Sequence, residues 1–219
     1  MNRILSLLLG ALLLAGGAAF YMSRAGGTLP GISMAVAQDA ASDIELAPDM
    51  VIGNTDAPIT IVEYASYTCP HCANFHTDVF KQLKADYIDS GQVRFVHREV
   101  YFDRFGLWAG LLARCGGEMR YFGMNDLIYG GQHEWIGSGD AQEVLNNLRK
   151  LGRTAGMSDD QMNTCLEDEK MAQSMVAAYQ QNATADEISA TPSFIINGEK
   201  YSNMPYADFR EVLDGLLAE

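Results

Sequence analysis

Two cysteines separated by a proline and a histidine, Cys69-Pro70-His71-Cys72, are the residues of this chain best placed to do chemistry. They stand where an apolar run (Ile59, Ile61, Val62, Tyr64, Ala65) gives way to a helical pattern, a setting that suits a redox-active dithiol. A helix beginning at the first cysteine turns its free backbone N–H groups and the positive end of its dipole toward Cys69. That favours the thiolate, the form that attacks and leaves in thiol–disulfide exchange. Cys69 is therefore the expected nucleophile. Cys72, one turn further on, can close a ring with Cys69 or resolve a mixed disulfide with a substrate, and is expected to be buried.

Two other chemistries use the same spacing. A C-x-x-C pair is half of a zinc site, to which His71 and His76 could add nitrogen ligands, but no second C-x-x-C or H-x-x-x-H follows. An inert structural disulfide is the other alternative, although so short a bridge constrains little chain and gains little by loop closure. Redox chemistry is preferred, with no metal and no cofactor expected.

The elements that must position these thiols can be read from periodicity. Gly53-Asn54-Thr55-Asp56-Ala57-Pro58 is a turn cluster, and Ile59 to Ala65 reads as a buried strand of the parallel kind. After the cysteines Phe75, Val79, Leu83 and Tyr87 recur every four residues, and Gly91 ends the pattern. Val93 to Val100 is a second strand, completing a β-α-β unit. From Arg104 to about Ala178 the pattern is helical, with stretches around Leu107 to Leu112, Asn125 to Tyr129, Ala141 to Leu151 and Ser158 to Tyr179. The last opens on the capping-box pattern Ser158-Asp159-Asp160-Gln161. Strand character returns at Pro192 to Ile196, turns at Asn197-Gly198 and resumes at Glu199 to Ser202. A closing amphipathic helix starts with Pro205 in its first position and carries Phe209, Val212, Leu213 and Leu216. This order predicts an α/β, thioredoxin-like fold split by a helical insertion.

Ile4 to Tyr21 carries no charge and follows a single basic residue, Arg3, and Ala35-Val36-Ala37 offers a cleavage site before Gln38. The segment is expected to be an export signal. Gly17-Ala18-Ala19 is an earlier candidate site, and residues 4–21 are also long enough to remain as an inner-membrane anchor. Either version places Cys69 outside the cytoplasm, in an oxidising compartment of the periplasmic kind. All acidic residues lie beyond Gln38, so loss of Arg3 and Arg24 leaves 13 basic against 28 acidic side chains and a formal charge of −15. Such a surface excludes nucleic acid as a partner. The chain divides into a signal or anchor over 1–37, a tether over 38–50, a first half of the fold over 51–103, the insertion over 104–180 and a second half over 181–219.

The approach GNTDAPITIVEYASYTCPHC and the segment Ala190-Thr191-Pro192-Ser193-Phe194 resemble the DsbA family of bacterial thiol:disulfide oxidoreductases, and within it the Com1-like branch. The resemblance runs from Val51 to the C-terminus. It implies that Pro192 is cis, lies beside the active-site disulfide and, with Thr191 and Pro70, shapes a groove that holds substrate backbone. Tyr67, Thr68 and Phe194 are expected on its rim. His71 is expected to hydrogen-bond or attract the Cys69 thiolate, the alternative being a solvated histidine at a helix start. Glu63 matches an acidic position of the family. Buried without a partner it would hold its proton strongly and exchange it with Cys72; otherwise it faces water at a strand edge. Cys115 and Cys165, 50 residues apart, match a pair common in the branch and are expected to form a structural disulfide, or else a second redox relay.

The activity implied is oxidation of dithiols in reduced, unfolded exported proteins, followed by reoxidation through a quinone-linked membrane protein. Thr191 also occurs before the cis proline of isomerases and reductases, which keeps that activity open. An envelope-anchored binding protein of thioredoxin-like fold is the third reading.

Overall fold

The structure is a computed structural model that describes residues 44–218, so the signal or anchor expected over 1–37 and residues 38–43 of the tether lie outside the described residues. At its centre, β2 (Ile59–Ala65) and β3 (Val93–Glu99) run parallel, in register from Ile59 opposite Val93 to Ala65 opposite Glu99. They are joined by α1, a helix over residues 70–88 that passes through π-helical turns at Phe75–Phe80 and Lys84–Ile88. Such widened turns are frequent at functional sites. β1 (Met50–Gly53) lies antiparallel outside β3, β4 (Ser193–Ile196) antiparallel against β2, and β5 (Glu199–Ser202) outside β4, in the order β1-β3-β2-β4-β5. Between β3 and β4 stand six helices: α2 (Arg104–Arg114), α3 (Glu118–Gly130), α4 (Gln132–Ile136), α5 (Ala141–Thr154), α6 (Asp159–Leu166) and α7 (Glu169–Ala185). α8 (Tyr206–Leu217) closes the chain. This is the thioredoxin-like fold with a helical insertion that the element order predicts.

The pleat explains what the sheet presents to α1. Ile59, Ile61, Glu63 and Ala65 of β2 and Val93, Phe95, His97 and Glu99 of β3 share one face at a spacing of two, and all eight are buried. α1 covers that face with Cys72, His76, Phe80 and Leu83, its Phe80 ring 4.9 Å from that of Phe95. α3 brings Tyr121, Asn125 and Tyr129, four residues apart, to the same layer. Three polar strand residues, Glu63, His97 and Glu99, and four polar helix residues, His76, Tyr121, Asn125 and Tyr129, are thereby folded into one otherwise apolar core.

Several local expectations are corrected. The polar tether does not reach Met50: Met50 opens β1, Ala47 is buried, and Asp49 takes a bidentate ion pair from Arg98 at 2.9 Å. The alternating signal was too short there to announce a strand. The single helix read over 158–179 is two helices, because Asp168 caps the backbone N–H of Met171 and starts α7 afresh; α7 continues to Ala185, past the expected end of the insertion. Ser158 does accept from the Gln161 N–H, as the capping box requires. Pro205 sits one position earlier than expected, as the N-cap of α8. At the hairpin Asn197 and Gly198 both take positive φ, 46° and 93°, as a type I′ turn demands.

Gly53 ends β1 with φ +102°, and a Cβ there would lie 2.4 Å from the carbonyl oxygen of Val93. No side-chain rotation relieves a clash with backbone. Gly53→Ala is expected to lower stability by about 2 kcal/mol, read from the midpoint of urea unfolding.

Candidate active site

Cys69 is the N-cap of α1, with extended φ −85° and ψ 118°, and Pro70 occupies the first helical position, where its missing N–H costs nothing. The turn before it is fastened on two sides. Cys69 N–H donates to the Ser66 carbonyl at 3.1 Å, and the Thr68 hydroxyl donates at 2.7 Å to Asp103, the N-cap of α2. Cys69 is half-buried and Cys72 fully buried, and the two thiols are unbridged. Their acidities are driven apart. A hydrogen bond from the Cys72 thiol, opposed by partial burial and helped by the Thr191 side chain and the backbone N–H groups of Cys72 and His71, holds the Cys69 thiol down to about 5. Burial pushes the Cys72 thiol far above the usual range, and its hydrogen bond to Cys69 and the nearby Glu63 add to this. One sulfur is a thiolate at neutral pH and the other is not.

Behind Cys72 lies a buried acid–imidazole cluster. Glu63 is on the central strand β2, paired with His97 of β3 on one side and Phe194 of β4 on the other. Its Oε2 shares a hydrogen with His76 Nε2 at 2.8 Å and lies 3.9 Å from His97 Nε2, while Oε1 has no partner among the described residues. Burial pushes the Glu63 carboxyl up to about 8, although positive charge on His97, were it protonated, would pull it down. Burial likewise holds His76 down to about 3 and His97 down to about 4, so both imidazoles are neutral at physiological pH. Among the described residues this is the one group of three that could hold a metal ion, its ligand atoms lying within 4.8 Å of one another. The fit is poor: nitrogen and oxygen ligands on a tetrahedral zinc lie about 3.3 Å apart, whereas the Glu63–His76 contact is at hydrogen-bond distance. The arrangement can hold a proton on Glu63 at neutral pH between two neutral imidazoles.

A family model described as Thioredoxin matches residues 45–215. The chain belongs to this thioredoxin family. Among solved structures it is similar to Wolbachia pipientis alpha-DsbA1, with a TM-score of 0.74 and 28% identity over 81% of this chain and 94% of that one. In sequence it is 35% identical to a Rickettsia bellii protein named, by inference, a protein-disulfide oxidoreductase, over 78% of this chain and 65% of the relative. It is 27% identical to the disulfide bond formation protein D of Bacillus subtilis, over 77% of this chain and 76% of that protein. The chain thus spans just under two thirds of the Rickettsia relative's length.

Within this thioredoxin-family frame the expected site residues fall into distinct places. The Thr191–Pro192 bond is cis, and the Thr191 carbonyl accepts from the Cys69 thiol at 3.5 Å. Pro70 is exposed beside an open cleft of about 470 Å³ that Thr68, Thr77 and His133 also line. His71 is exposed, and what it contributes to the Cys69 thiolate is its backbone N–H. Glu63 is not at a sheet edge, and it has a partner, His76. His76 faces Glu63 instead of the thiols, so the zinc set imagined from Cys69, Cys72, His71 and His76 is not assembled. Tyr67 and Phe194 are fully buried, which removes them from the expected rim: Tyr67 bonds to Asn125 at 2.6 Å and Phe194 packs 4.7 Å from Phe75. Cys115 and Cys165 are bridged, with Cα atoms 5.6 Å apart, tying the end of α2 to α6.

Gln132 was not visible in the sequence as a site residue. From α4 its Nε2 donates to the carbonyls of Tyr67 and Cys69 at 2.8 and 2.9 Å, so one side chain of the insertion holds the turn that carries the nucleophile. No motif marks such a residue, because its partners are backbone atoms more than sixty positions away. His76 had a usable signal. It lies one turn after Cys72 on the apolar side of α1, where a polar residue needs a buried partner.

The Cys69 value carries a pH prediction. The folded thiol titrates at about 5 against an ordinary thiol value of 9.0, so the thiolate stabilises the native reduced protein fully above the unfolded value, decreasingly as pH falls through the interval, and not at all below about 5. The oxidised protein has no such group. The stability of the reduced form relative to the oxidised form is expected to shrink between pH 9 and pH 5, measured by urea unfolding of both forms across that interval.

Proposed function

We propose that this chain is a protein dithiol oxidase of the exported compartment, acting through Cys69 and Cys72. The observation that carries the reading is the opposed acidity of the two thiols across one helical turn, a thiolate near 5 next to a thiol held far above the usual range. A substrate thiolate attacks the Cys69 sulfur of the Cys69–Cys72 disulfide, and Cys72 leaves with the electron pair. Glu63, still protonated at neutral pH, supplies the proton to the buried Cys72 sulfur. The second substrate thiolate then attacks the substrate sulfur of the mixed disulfide and expels Cys69 as a thiolate. Two electrons have passed to the enzyme, and a stable Cys69 thiolate makes it a good leaving group and the reduced state favourable. In this reading Thr191, whose carbonyl meets the Cys69 thiol, and the cis Pro192 after it receive substrate backbone, and Pro70 and the adjoining cleft receive its side chains, a role supported by that contact and by the open cleft.

Reoxidation is assigned to a quinone-linked membrane protein, and location to the periplasm with residues 1–37 as signal or residues 4–21 as anchor. No helix among the described residues is long and apolar enough to cross a membrane. An isomerase or reductase activity is the second reading, favoured by Thr191 in contact with Cys69.

The test is the reduction potential of the Cys69–Cys72 pair, set by equilibration in glutathione buffers and read by mass spectrometry of trapped thiols, with Cys115–Cys165 followed separately. A potential near about −120 mV is expected for the oxidase; a value at or below about −200 mV would replace it with the isomerase or reductase reading.

A further inference from the structure

The buried cluster does not end at Glu63 and its two histidines. A chain of hydrogen bonds continues from His97 on β3 to Tyr121 on α3, from there to Glu99 two residues along β3, and from Glu99 to Arg114 on α2. The direction of every hydrogen in it can be worked out from the charged end. Arg114 donates through Nε at 2.8 Å and Nη2 at 2.6 Å to the two oxygens of Glu99. Burial alone would raise Glu99, but the guanidinium and its paired bonds carry it below the usual carboxylate range, so Glu99 is ionised and only accepts. The Tyr121 hydroxyl is 2.8 Å from Glu99 Oε1 and has one hydrogen, which goes to that carboxylate. The Tyr67 hydroxyl, 3.0 Å from the Tyr121 oxygen, is a neutral competitor and gives its own hydrogen to Asn125 at 2.6 Å.

Toward His97 Nδ1, 2.8 Å away, the Tyr121 oxygen can therefore act only as an acceptor. A neutral imidazole has one N–H, and here it must be on Nδ1. Nε2 is then the lone-pair nitrogen. It accepts from the Tyr129 hydroxyl at 3.1 Å and stands 3.9 Å from Glu63 Oε2, with the His76 ring packed alongside. A lone pair turned toward Glu63 repels a carboxylate and tolerates a carboxylic acid. The opposite tautomer would place an N–H there and favour the carboxylate.

We propose that the Glu99–Arg114 ion pair acts through Tyr121 as a positioning device that fixes His97 in its Nδ1–H tautomer and so keeps Glu63 supplied with the proton that Cys72 takes. Its link to Cys72 rests on the oxidoreductase reading; the tautomer does not. The device spans β3, α2 and α3, so the helical insertion sets the proton state of a carboxyl in the central strand. Glu99, Arg114 and Tyr121 touch neither thiol and are positioning residues.

The experiment is long-range proton–nitrogen NMR of the imidazoles in the ¹⁵N-labelled, reduced full chain at neutral pH, with His97 identified by the signals lost in His97→Gln. The expected wild-type pattern is a protonated Nδ1 and an unprotonated Nε2. Tyr121→Phe removes the acceptor at Nδ1 and is expected to move the hydrogen to Nε2. Glu99→Gln is the second variant, expected to mix the tautomers because Tyr121 is no longer held by a carboxylate. In both, the Glu63 carboxyl titration followed by ¹³C NMR is expected to fall by about half a pH unit or more, threefold in acidity. Tyr129→Phe, which removes only a donor to Nε2, is expected to keep the Nδ1–H form. A wild-type His97 protonated on Nε2 overturns the proposal even if no variant folds. So does a Tyr121→Phe protein with its tautomer and Glu63 titration unmoved. Neither readout uses the redox activity, so the proposal and the oxidase reading fail separately.

Discussion

Glu63→Gln is expected to slow the attack of a substrate thiolate on the oxidised protein by about 100-fold at neutral pH and, at the same time, to make the protein more stable. The rate falls because the amide keeps the shape of the acid and accepts from His76 but has no proton to give Cys72, whose sulfur leaves into an apolar core. General acid catalysis of this kind is worth about 10²- to 10⁴-fold. The pH dependence separates the two proteins. In the wild type the acid is lost as pH rises through the Glu63 titration, which burial holds above the usual carboxylate range, so the gain from substrate ionisation is cut off there; in the variant that break is absent. Stopped-flow mixing with a small thiol across that range measures it.

Stability moves the other way for a reason of linkage. A carboxyl titrating at about 8 in the fold and 4.5 outside it holds a proton that the unfolded chain releases, so its contribution is complete below 4.5 and is lost as pH rises through 8. Glutamine loses nothing over that interval. At pH 7 the variant is expected to be more stable by about 3 kcal/mol, with no difference below pH 4.5, read by urea unfolding at both pH values. A variant that is slow and also less stable would mean that Glu63 serves packing instead of proton transfer.

Removal of the Cys115–Cys165 disulfide by a double change to alanine is expected to produce the largest loss of stability, about 4 kcal/mol. The bridge closes a loop of 50 residues between the end of α2 and α6, and the entropy withheld from the unfolded chain grows with the logarithm of that length. The loop includes α3 and α4, which carry Tyr121, Tyr129 and Gln132, so the loss falls on the elements that hold the active-site turn from behind. Urea unfolding with free thiols counted checks it; a change below about 1 kcal/mol would remove the bridge from the list of stabilising features.

The reach of the sequence follows the range of the interactions concerned. Cys69 at a helix start, the β-α-β unit, the Asn197-Gly198 hairpin and the Ser158 cap depend on neighbours within a few positions, and each was legible from residue type and spacing. β1 was missed because four residues are too few to show alternation, and Met50–Gly53 becomes a strand only by pairing with β3. The break at Asp168 was missed because an apolar pattern that continues through a cap hides the cap.

Glu63 illustrates where local reading stops. One carboxylate in an apolar strand is an anomaly that residue order can flag, but whether it meets water, a cation or another acid depends on what the neighbouring strand and helix bring to it. Here β3 brings His97 opposite and α1 brings His76 above, and α3 adds the two tyrosines that orient His97. By itself the sequence determined the dithiol, the helix that activates it and the α/β framework with its helical insertion, because these arise from short-range geometry and periodicity. Only the tertiary structure decided that Tyr67 and Phe194 belong to the core, that Gln132 holds the turn carrying Cys69, and that Glu63 is a buried acid in a network ending at Arg114. Burial and hydrogen-bond direction are properties of groups brought together from distant parts of the chain, and no local pattern encodes them.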